Sequence, residues 1–419
     1  MIERCLWAET APPPAEAAGA LPERTDVAVI GGGYTGLAAA LALARRGAEV
    51  VVLERETLGW GASGRNGGFV LPGYKVEIEA LARRLGLAEA RRLFALSVEA
   101  VRALESLIAA EAIDCRYVRC GTVVLAARER HLGGLERSRR FLRDALGHET
   151  ELLGPSDVRA EIGSARYHGG LLDPLAGAVQ PAALVRGLAA AAGRAGARLV
   201  ERTEVHRVRR AAPGFEVGTS RGTVVARDVL VATNGYSGPA VPVIRRRVVP
   251  VGSYLIATAP LEPPLAARLV PRGRVLSDTK NLLYYFRLSP DGRMVFGGRA
   301  AFTPTPVSSA ARVLARGMLE VFPELAGTPV EYAWGGNVAF TLDQMPHAGR
   351  LDGMHYALGY GGHGVALATW LGARLGDAMA GAGEIPRLAA PFRAVPFYAG
   401  TPWFLPLVGG YYRVRDWVG

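Results

Sequence analysis

Lysine is nearly missing from this chain. Lys75 and Lys280 are the only two in 419 residues, so almost all of the 49 basic residues are arginine. Cysteine is scarce too. Cys5, Cys115 and Cys120 are too few for a disulfide framework. Cys115 and Cys120 lack the His partners of a zinc site, so all three read as structural thiols and no metal is expected. Long apolar runs are absent: no stretch reaches the roughly eighteen residues of a membrane-spanning helix. The first 24 residues carry acids and prolines without an apolar centre, unlike a secretion signal. Cytoplasmic location is the expectation. The net charge of +11 raises nucleic-acid binding as a possibility. Yet the arginine clusters, of which Arg245-Arg246-Arg247 is the longest, have no interleaved aromatics. They read as solvated faces rather than as a stripe for nucleic acid or a membrane surface.

What is present is half hydrophobic residues and 53 glycines. The stretch from Thr25 to Glu54 organises the rest. Asp26 to Ile30 is a β-branched apolar run, read as a buried parallel strand. Gly31-Gly32-Gly33-Tyr34-Thr35-Gly36 follows, then an Ala/Leu helix to Arg46, then a second apolar strand ending in Glu54. Gly31 permits the tight turn, Gly33 lets backbone approach a pyrophosphate, and Gly36 lets the helix pack close. The unpaired N–H groups and dipole of the helix start favour a phosphate. Glu54, eighteen residues after Gly36, stands where a carboxylate takes the ribose hydroxyls. An acid there fits FAD or NAD and disfavours NADP. This stretch alone leaves FAD and NAD level.

Further along, a glycine-rich loop runs from Glu56 to Gly73, and residues 76–114 read as helix. Tyr117–Ala127 reads as a strand, and 129–162 as helix broken at Gly154-Pro155. Pro181 opens a helix to about Arg194, and Asp228–Ala232 is a buried strand. Residues 248–300 are strand-rich, and 307–322 form an amphipathic helix. Trp334–Gly349 reads as irregular. A strand at Met354–Leu358 leads through Gly359–Gly364 into a helix to Met379. The last residues form a Pro- and aromatic-rich tail. The fold class is α/β (α+β overall): a discontinuous Rossmann-type nucleotide-binding domain with an inserted antiparallel-sheet domain. The expected division is 25–75, 165–240 and 335–385 for the nucleotide, and 76–164 and 241–334 for the substrate. An arm, 1–24, draped over the surface, and a tail, 386–419, complete it.

The residues carrying a wider pattern are DVAVIGGGYTGLAAALALARRG, the loop LGWGASGRNGGF, TEVHRV, VLVATNGYS, YYFRLSPDGRMVFGGR and GYGGHGVALATWLG. On these the chain resembles the D-amino-acid oxidase, glycine oxidase and sarcosine oxidase superfamily of FAD-dependent amine oxidoreductases. It looks most like the gamma-glutamylputrescine oxidoreductase group. The loop GWGASGRNGG and the late GYGGHG tilt the dinucleotide to FAD and have no role in a plain NAD dehydrogenase.

The resemblance implies a cofactor site built from Gly31, Gly33, Tyr34, Thr35, Gly36, Glu54 and Arg55. It adds Gly61, Ala62, Ser63, Arg65, Asn66, Gly67 and Gly68 along the flavin, and Val205 at the adenine. Ala232, Thr233, Asn234 and Gly235 close over the nucleotide. Trp334, Gly359, Gly361, Gly362, His363, Gly364 and Val365 complete the set. His363 either donates to the flavin or only caps its helix; both readings stand. Candidates nearest the chemistry are His363, Arg65, Tyr254, Tyr285 and Arg299. Aromatic faces suit a cationic amine. Of Tyr284 and Tyr285 only one can point into the pocket.

Where relatives tether FAD by cysteine this chain has Gly336, and where others use histidine it has Arg65, which implies non-covalent FAD. Val338 and Ala366 stand at the usual carboxylate anchors. An amine with its charge elsewhere therefore fits better than a small α-amino acid. The implied reaction passes the α-C–H hydride of a neutral amine to flavin N5. The imine hydrolyses to an aldehyde, and dioxygen or another acceptor takes the electrons. One alternative is a D-amino-acid dehydrogenase or glycine-oxidase-like deaminase, anchoring its substrate on Arg299 or Arg287. Another is a nucleotide-binding module without redox activity.

Overall fold

The computed structural model describes residues 3–12, 19–298, 305–388 and 391–418. Two eight-stranded sheets carry the fold.

The first sheet grows from the strand Arg24–Ile30, whose β-branched residues are buried on both faces. It pairs in parallel with Val50–Leu53, with Val27 opposite Val50, and with Gly222–Val231 on its other side. Arg198–Val200 extends one edge and Met354–Leu358 the other, both in parallel. His347–Leu351 closes that second edge antiparallel. All-parallel pairing at the centre requires crossovers, and helices Tyr34–Arg45, Pro181–Arg194 and Gly364–Met379 cover the sheet. Gly364–Met379 lies against Tyr34–Arg45 at close range: a Cβ on Gly372 would run into the Thr35 carbonyl.

The second sheet runs Val330–Phe340, Val249–Pro260, Arg293–Gly298, Tyr284–Leu288, Val275–Asp278, Thr122–Leu125, Gly170–Asp173, Glu151–Leu153. Its pairs are antiparallel except Val275–Asp278 with Thr122–Leu125. Helix Val307–Val321 covers one face, over a core holding Phe286, Phe296 and Phe322. Phe286 and Phe296 stack with centroids 5.3 Å apart.

Several expectations need correction. Residues 334–349 are not irregular. Strand Val330–Phe340 runs through them, and His347–Leu351 is a further strand. The helix expected over 129–162 stops at Leu146, where Gly147 takes φ +64, and Glu151–Leu153 is a strand. The helix over 76–114 breaks at Gly86, φ +88, into Ile78–Leu85 and Leu87–Ala110. Gly170–Asp173, grouped with the nucleotide segments, pairs within the second sheet. The arm is not merely draped: Leu6 and Trp7, in the helix Leu6–Thr10, are fully buried. The tail contains a helix, Leu405–Val418.

Candidate active site

The glycine turn has the geometry its sequence demands. Gly31 takes φ +108, and a Cβ there would sit 2.9 Å from the Ala232 carbonyl oxygen. A Cβ on Gly36 would overlap the Gly31 carbonyl, so only glycine lets the helix start so close to the turn. Glu54 braces the turn: its Oε2 accepts from the Gly32 N–H at 2.7 Å and its Oε1 from the Glu56 N–H at 2.9 Å. Burial raises the Glu54 pKa, and these two N–H groups oppose the rise. Each oxygen retains a lone pair, and Glu54 faces a large cavity.

That cavity has a volume of about 1230 Å³ and runs from the turn to the C-terminal helix. Gly31, Gly33, Tyr34, Thr35, Glu54 and Arg55 line one end of it, with Val205, Ala232, Thr233 and Asn234. Gly61, Ala62, Ser63, Arg65, Asn66 and Gly67 line its middle, facing Gly361, Gly362, His363, Gly364 and Val365. Thus segments more than 290 residues apart in sequence form two walls of one space. Asn234 Oδ1 accepts from the Gly359 N–H at 2.9 Å, linking the second nucleotide segment to the third.

The loop 59–68 is held from behind, which leaves its other side for the cavity. Trp7 Nε1 donates to the Asn66 carbonyl at 2.9 Å, and Trp334 Nε1 donates to the Arg65 carbonyl at 2.9 Å. The two indoles meet edge-on, centroids 6.1 Å apart. Asn66 staples the loop internally, giving Nδ2 to the Ser63 carbonyl (2.8 Å) and taking the Gly68 N–H at Oδ1 (2.7 Å). Ser63 Oγ accepts the Tyr34 N–H at 3.0 Å and so stands at the first helix start. The Arg65 guanidinium lies over the Trp60 ring, 4.5 Å from its centroid, and donates to the Trp60 and Gly335 carbonyls.

His363 precedes the helix Gly364–Met379 but makes no side-chain cap bond, so the capping alternative is not realised. Its Nδ1 is buried without a partner. Burial, and then the Lys75 charge, pushes its pKa down to about 4. Lys75 lies against the same turn: a Cβ on Gly361 would be 2.8 Å from Lys75 Cβ. The neutral imidazole with an orphaned nitrogen, the glycine cradle and two helix starts whose own N-cap residues give no side-chain cap together suit a dinucleotide with a polar ring system.

Not every candidate reaches the cavity. Gly36, Gly68, Gly235 and Gly359 sit just behind its wall, where their lack of a side chain permits close packing. Trp334 is buried behind the loop rather than facing the cofactor space. Tyr254 points the other way, donating to the Thr305 carbonyl at 3.1 Å inside the second sheet's core. Tyr285 does face the cavity, wedged between Gly67 and Gly297, its hydroxyl 3.0 Å from Ser253 Oγ. Tyr284 packs on Phe296. Arg287 cannot anchor a substrate from its place under the loop. It is buried, lies over Trp7 and donates to the Gly68 carbonyl at 3.3 Å. Burial lowers its pKa to about 10. Arg299 lies outside the described residues. Gly336 and Val338 line the cavity, and Ala366 does not.

Some cavity residues escaped the sequence reading. Both lysines line it. Lys280 Nζ is 3.1 Å from buried Asp278 Oδ2 and 3.4 Å from the Tyr284 ring centroid. Their rarity in an arginine-rich chain was the available signal. Leu405, Val408, Tyr412 and Arg415 of the C-terminal helix also contribute wall. Nothing in the tail's composition pointed there.

Fold and cavity together define a two-sheet flavoprotein oxidoreductase, and the chain belongs to the FAD dependent oxidoreductase (DAO) family, whose model matches residues 26–378. It is an FAD-dependent enzyme acting on amines or amino acids. Among curated relatives it is 35% identical over 399 residues to gamma-glutamylputrescine oxidoreductase of Escherichia coli, covering 94% of this chain and 93% of that protein. Glycine oxidase of Geobacillus kaustophilus is 28% identical over 372 residues, 84% of this chain and 92% of that protein. The crystal structure of glycine oxidase from Geobacillus kaustophilus superposes with TM-score 0.74 at 24% identity, over 90% of this chain and 100% of that one. No described helix is long and apolar enough to cross a membrane.

Proposed function

We propose that this enzyme oxidises an amine whose charged group is not an α-carboxylate, a polyamine derivative such as gamma-glutamylputrescine. Its FAD is held without a covalent bond. The 35% identity to gamma-glutamylputrescine oxidoreductase across 94% of the chain carries this reading. Val338 and Ala366, at the two positions where relatives place cationic anchors, agree with it, as does Gly336 at the cysteine tether. Bound FAD would accept the hydride from the α-carbon of the amine.

The chain's own residues bind and orient. Glu54 would hold the ribose hydroxyls, and the start of helix Tyr34–Arg45 would hold the pyrophosphate. The start of helix Gly364–Met379, with neutral His363, would stabilise negative charge on the bound cofactor. Tyr285, fixed by Ser253, offers a ring face to the amine. Leu255 and Leu283 add apolar lining to the same cavity. No protein base is needed if the amine enters neutral; the imine would hydrolyse in water, and dioxygen would take the two electrons with two protons, giving hydrogen peroxide. The partners are then small molecules, without nucleic acid, in the cytoplasm.

The test is anaerobic bleaching of the flavin by gamma-glutamylputrescine, putrescine, sarcosine, glycine and D-alanine. Reduction by the acylated diamine first is expected; reduction by amino acids alone would favour the deaminase alternative. Acid precipitation should release the yellow chromophore into the supernatant, and retention on the protein overturns the non-covalent assignment.

A further inference from the structure

The five most exposed large apolar side chains among the described residues fall within one short stretch. Phe397 is 93% exposed, Leu407 72%, and Trp403, Tyr411 and Val414 at least 60% each. Leu407, Tyr411 and Val414 are spaced by four and three along the helix Leu405–Val418, so they form one stripe. The other side of the same helix is also apolar. Leu405, Val408 and Tyr412 turn inward onto the cavity and pack with Val249, Val251 and Tyr398. A helix apolar on both sides is normally covered on both sides. Here the inner side is covered by the protein and the outer side is bare.

The surroundings of the stripe are basic. From 386 to 419 the chain has four arginines, Arg387, Arg393, Arg413 and Arg415, and a single acid, Asp416. Asp416 is already occupied by N–H groups of Asn281 and Leu282. The triple Arg245-Arg246-Arg247 touches the first part of this segment, at Phe392 and Val395. The Arg246 carbonyl accepts the Val395 N–H at 2.9 Å, and Arg247 Nε donates to the Phe392 carbonyl at 3.0 Å. Arg246, Arg393 and Arg415 are exposed. The fold thus brings to the arginines the aromatics that they lack in sequence. This segment also lies beyond the matched family region, which ends at residue 378.

We propose that the C-terminal segment, Phe397 to Val414 with its flanking arginines, docks the enzyme on an anionic lipid surface. Aromatic and branched side chains on the stripe enter the headgroup boundary, and the arginines meet the lipid phosphates. The helix lies in the surface without crossing it. A second copy of the chain is the weaker occupant, because a two-fold contact would set these arginines against themselves.

The experiment is co-sedimentation of the full-chain, flavin-loaded protein with vesicles of equimolar phosphatidylglycerol and phosphatidylcholine, against vesicles of phosphatidylcholine alone. Binding at least about tenfold stronger to the anionic vesicles is expected. The triple variant Leu407→Ser, Tyr411→Ser, Val414→Ser should lose about tenfold while keeping its flavin spectrum. A second variant, Arg246→Glu with Arg393→Glu, should lose binding without altering the stripe, which keeps the test open if the first does not fold. Equal binding by wild type and both variants, or none to anionic vesicles, overturns the proposal. So does a wild-type dimer in sedimentation velocity that the triple variant dissolves, because a second copy then covers the stripe.

Discussion

The Thr35 hydroxyl and the Tyr360 phenol lie 2.7 Å apart, both buried, although 325 residues separate them in sequence. Thr35 stands at the start of the first nucleotide helix, and Tyr360 opens the second glycine turn. This hydrogen bond joins two segments that both line the cavity, beside the close helix packing at Gly372. Burial pushes the Tyr360 pKa well above the usual phenol range, so the phenol stays protonated. Tyr360→Phe leaves the Thr35 hydroxyl buried without its partner, at a cost of about 1–3 kcal/mol. Thr35→Val with Tyr360→Phe should cost less than the two singles combined. Denaturant unfolding of the four proteins measures this, and purely additive losses would show that the bond does not couple the segments.

The loop 59–68 depends on two indoles, and one of them comes from the N-terminal arm. Trp7→Phe keeps most of the ring volume but removes the N–H that the Asn66 carbonyl accepts. The expected loss is about 1–3 kcal/mol of stability. FAD should bind several-fold more weakly as the loop loosens, an effect read by flavin fluorescence titration. If the loop is held by Asn66 and Trp334 alone, FAD affinity in Trp7→Phe will match the wild type.

The first strand, turn and helix were legible because each signal there is local. Gly31 takes φ +108 and Gly36 needs contact with its own turn, demands set within the turn itself, and the close Ala232 carbonyl only adds to the first. Strand Val330–Phe340 was hidden for the opposite reason. Gly335, Gly336 and Asn337 look like strand breakers. Gly335 is required because the Tyr254 ring packs within 2.9 Å of where its Cβ would be. Tyr254 itself was placed on the wrong side because its direction depends on which face of Val249–Pro260 meets helix Val307–Val321. Trp7 was invisible as a site residue because its partner, Asn66, is 59 residues away. The C-terminal helix was masked by Pro406 and by Gly409-Gly410, which lower helix propensity but not the gain from burying Leu405 and Val408.

His363 predicts a specific acid sensitivity. Its ordinary value is 6.5, and in the fold it is pushed down to about 4. The unfolded chain takes up a proton below about pH 6.5, while the folded chain resists until about pH 4. Full stability is thus present above pH 6.5 and is lost as the pH falls from there to 4. At about 1.4 kcal/mol per pH unit, the ceiling at pH 5 is roughly 2 kcal/mol. His363→Asn should reduce the stability difference between pH 7 and pH 5 by about 1–2 kcal/mol, measured by urea unfolding. Carboxylates titrate equally in both proteins, so the comparison isolates the imidazole. An unchanged difference would mean that His363 is solvated enough to titrate normally.

Asp416 is the residue that fixes the outer wall of the cavity. Its Oδ1 accepts from Asn281 N–H (2.8 Å) and Asn281 Nδ2 (2.7 Å), and its Oδ2 from Leu282 N–H (2.8 Å). Three donors on one carboxylate hold the C-terminal helix to the turn that carries Lys280. Hydrogen bonds to a charged group are worth about 1.5–3 kcal/mol each when buried, and partial exposure here lowers that. Asp416→Ala should therefore loosen the helix by about 1–3 kcal/mol without unfolding the two sheets. Amide exchange across 405–418 should rise, while exchange in Arg24–Ile30 stays as in the wild type. If the helix shapes the amine end of the cavity, KM for long amines that reach Tyr412 should rise several-fold, and kcat/KM for short amines should hold. Faster exchange with unchanged KM values across amine lengths would limit Asp416 to holding the helix in place.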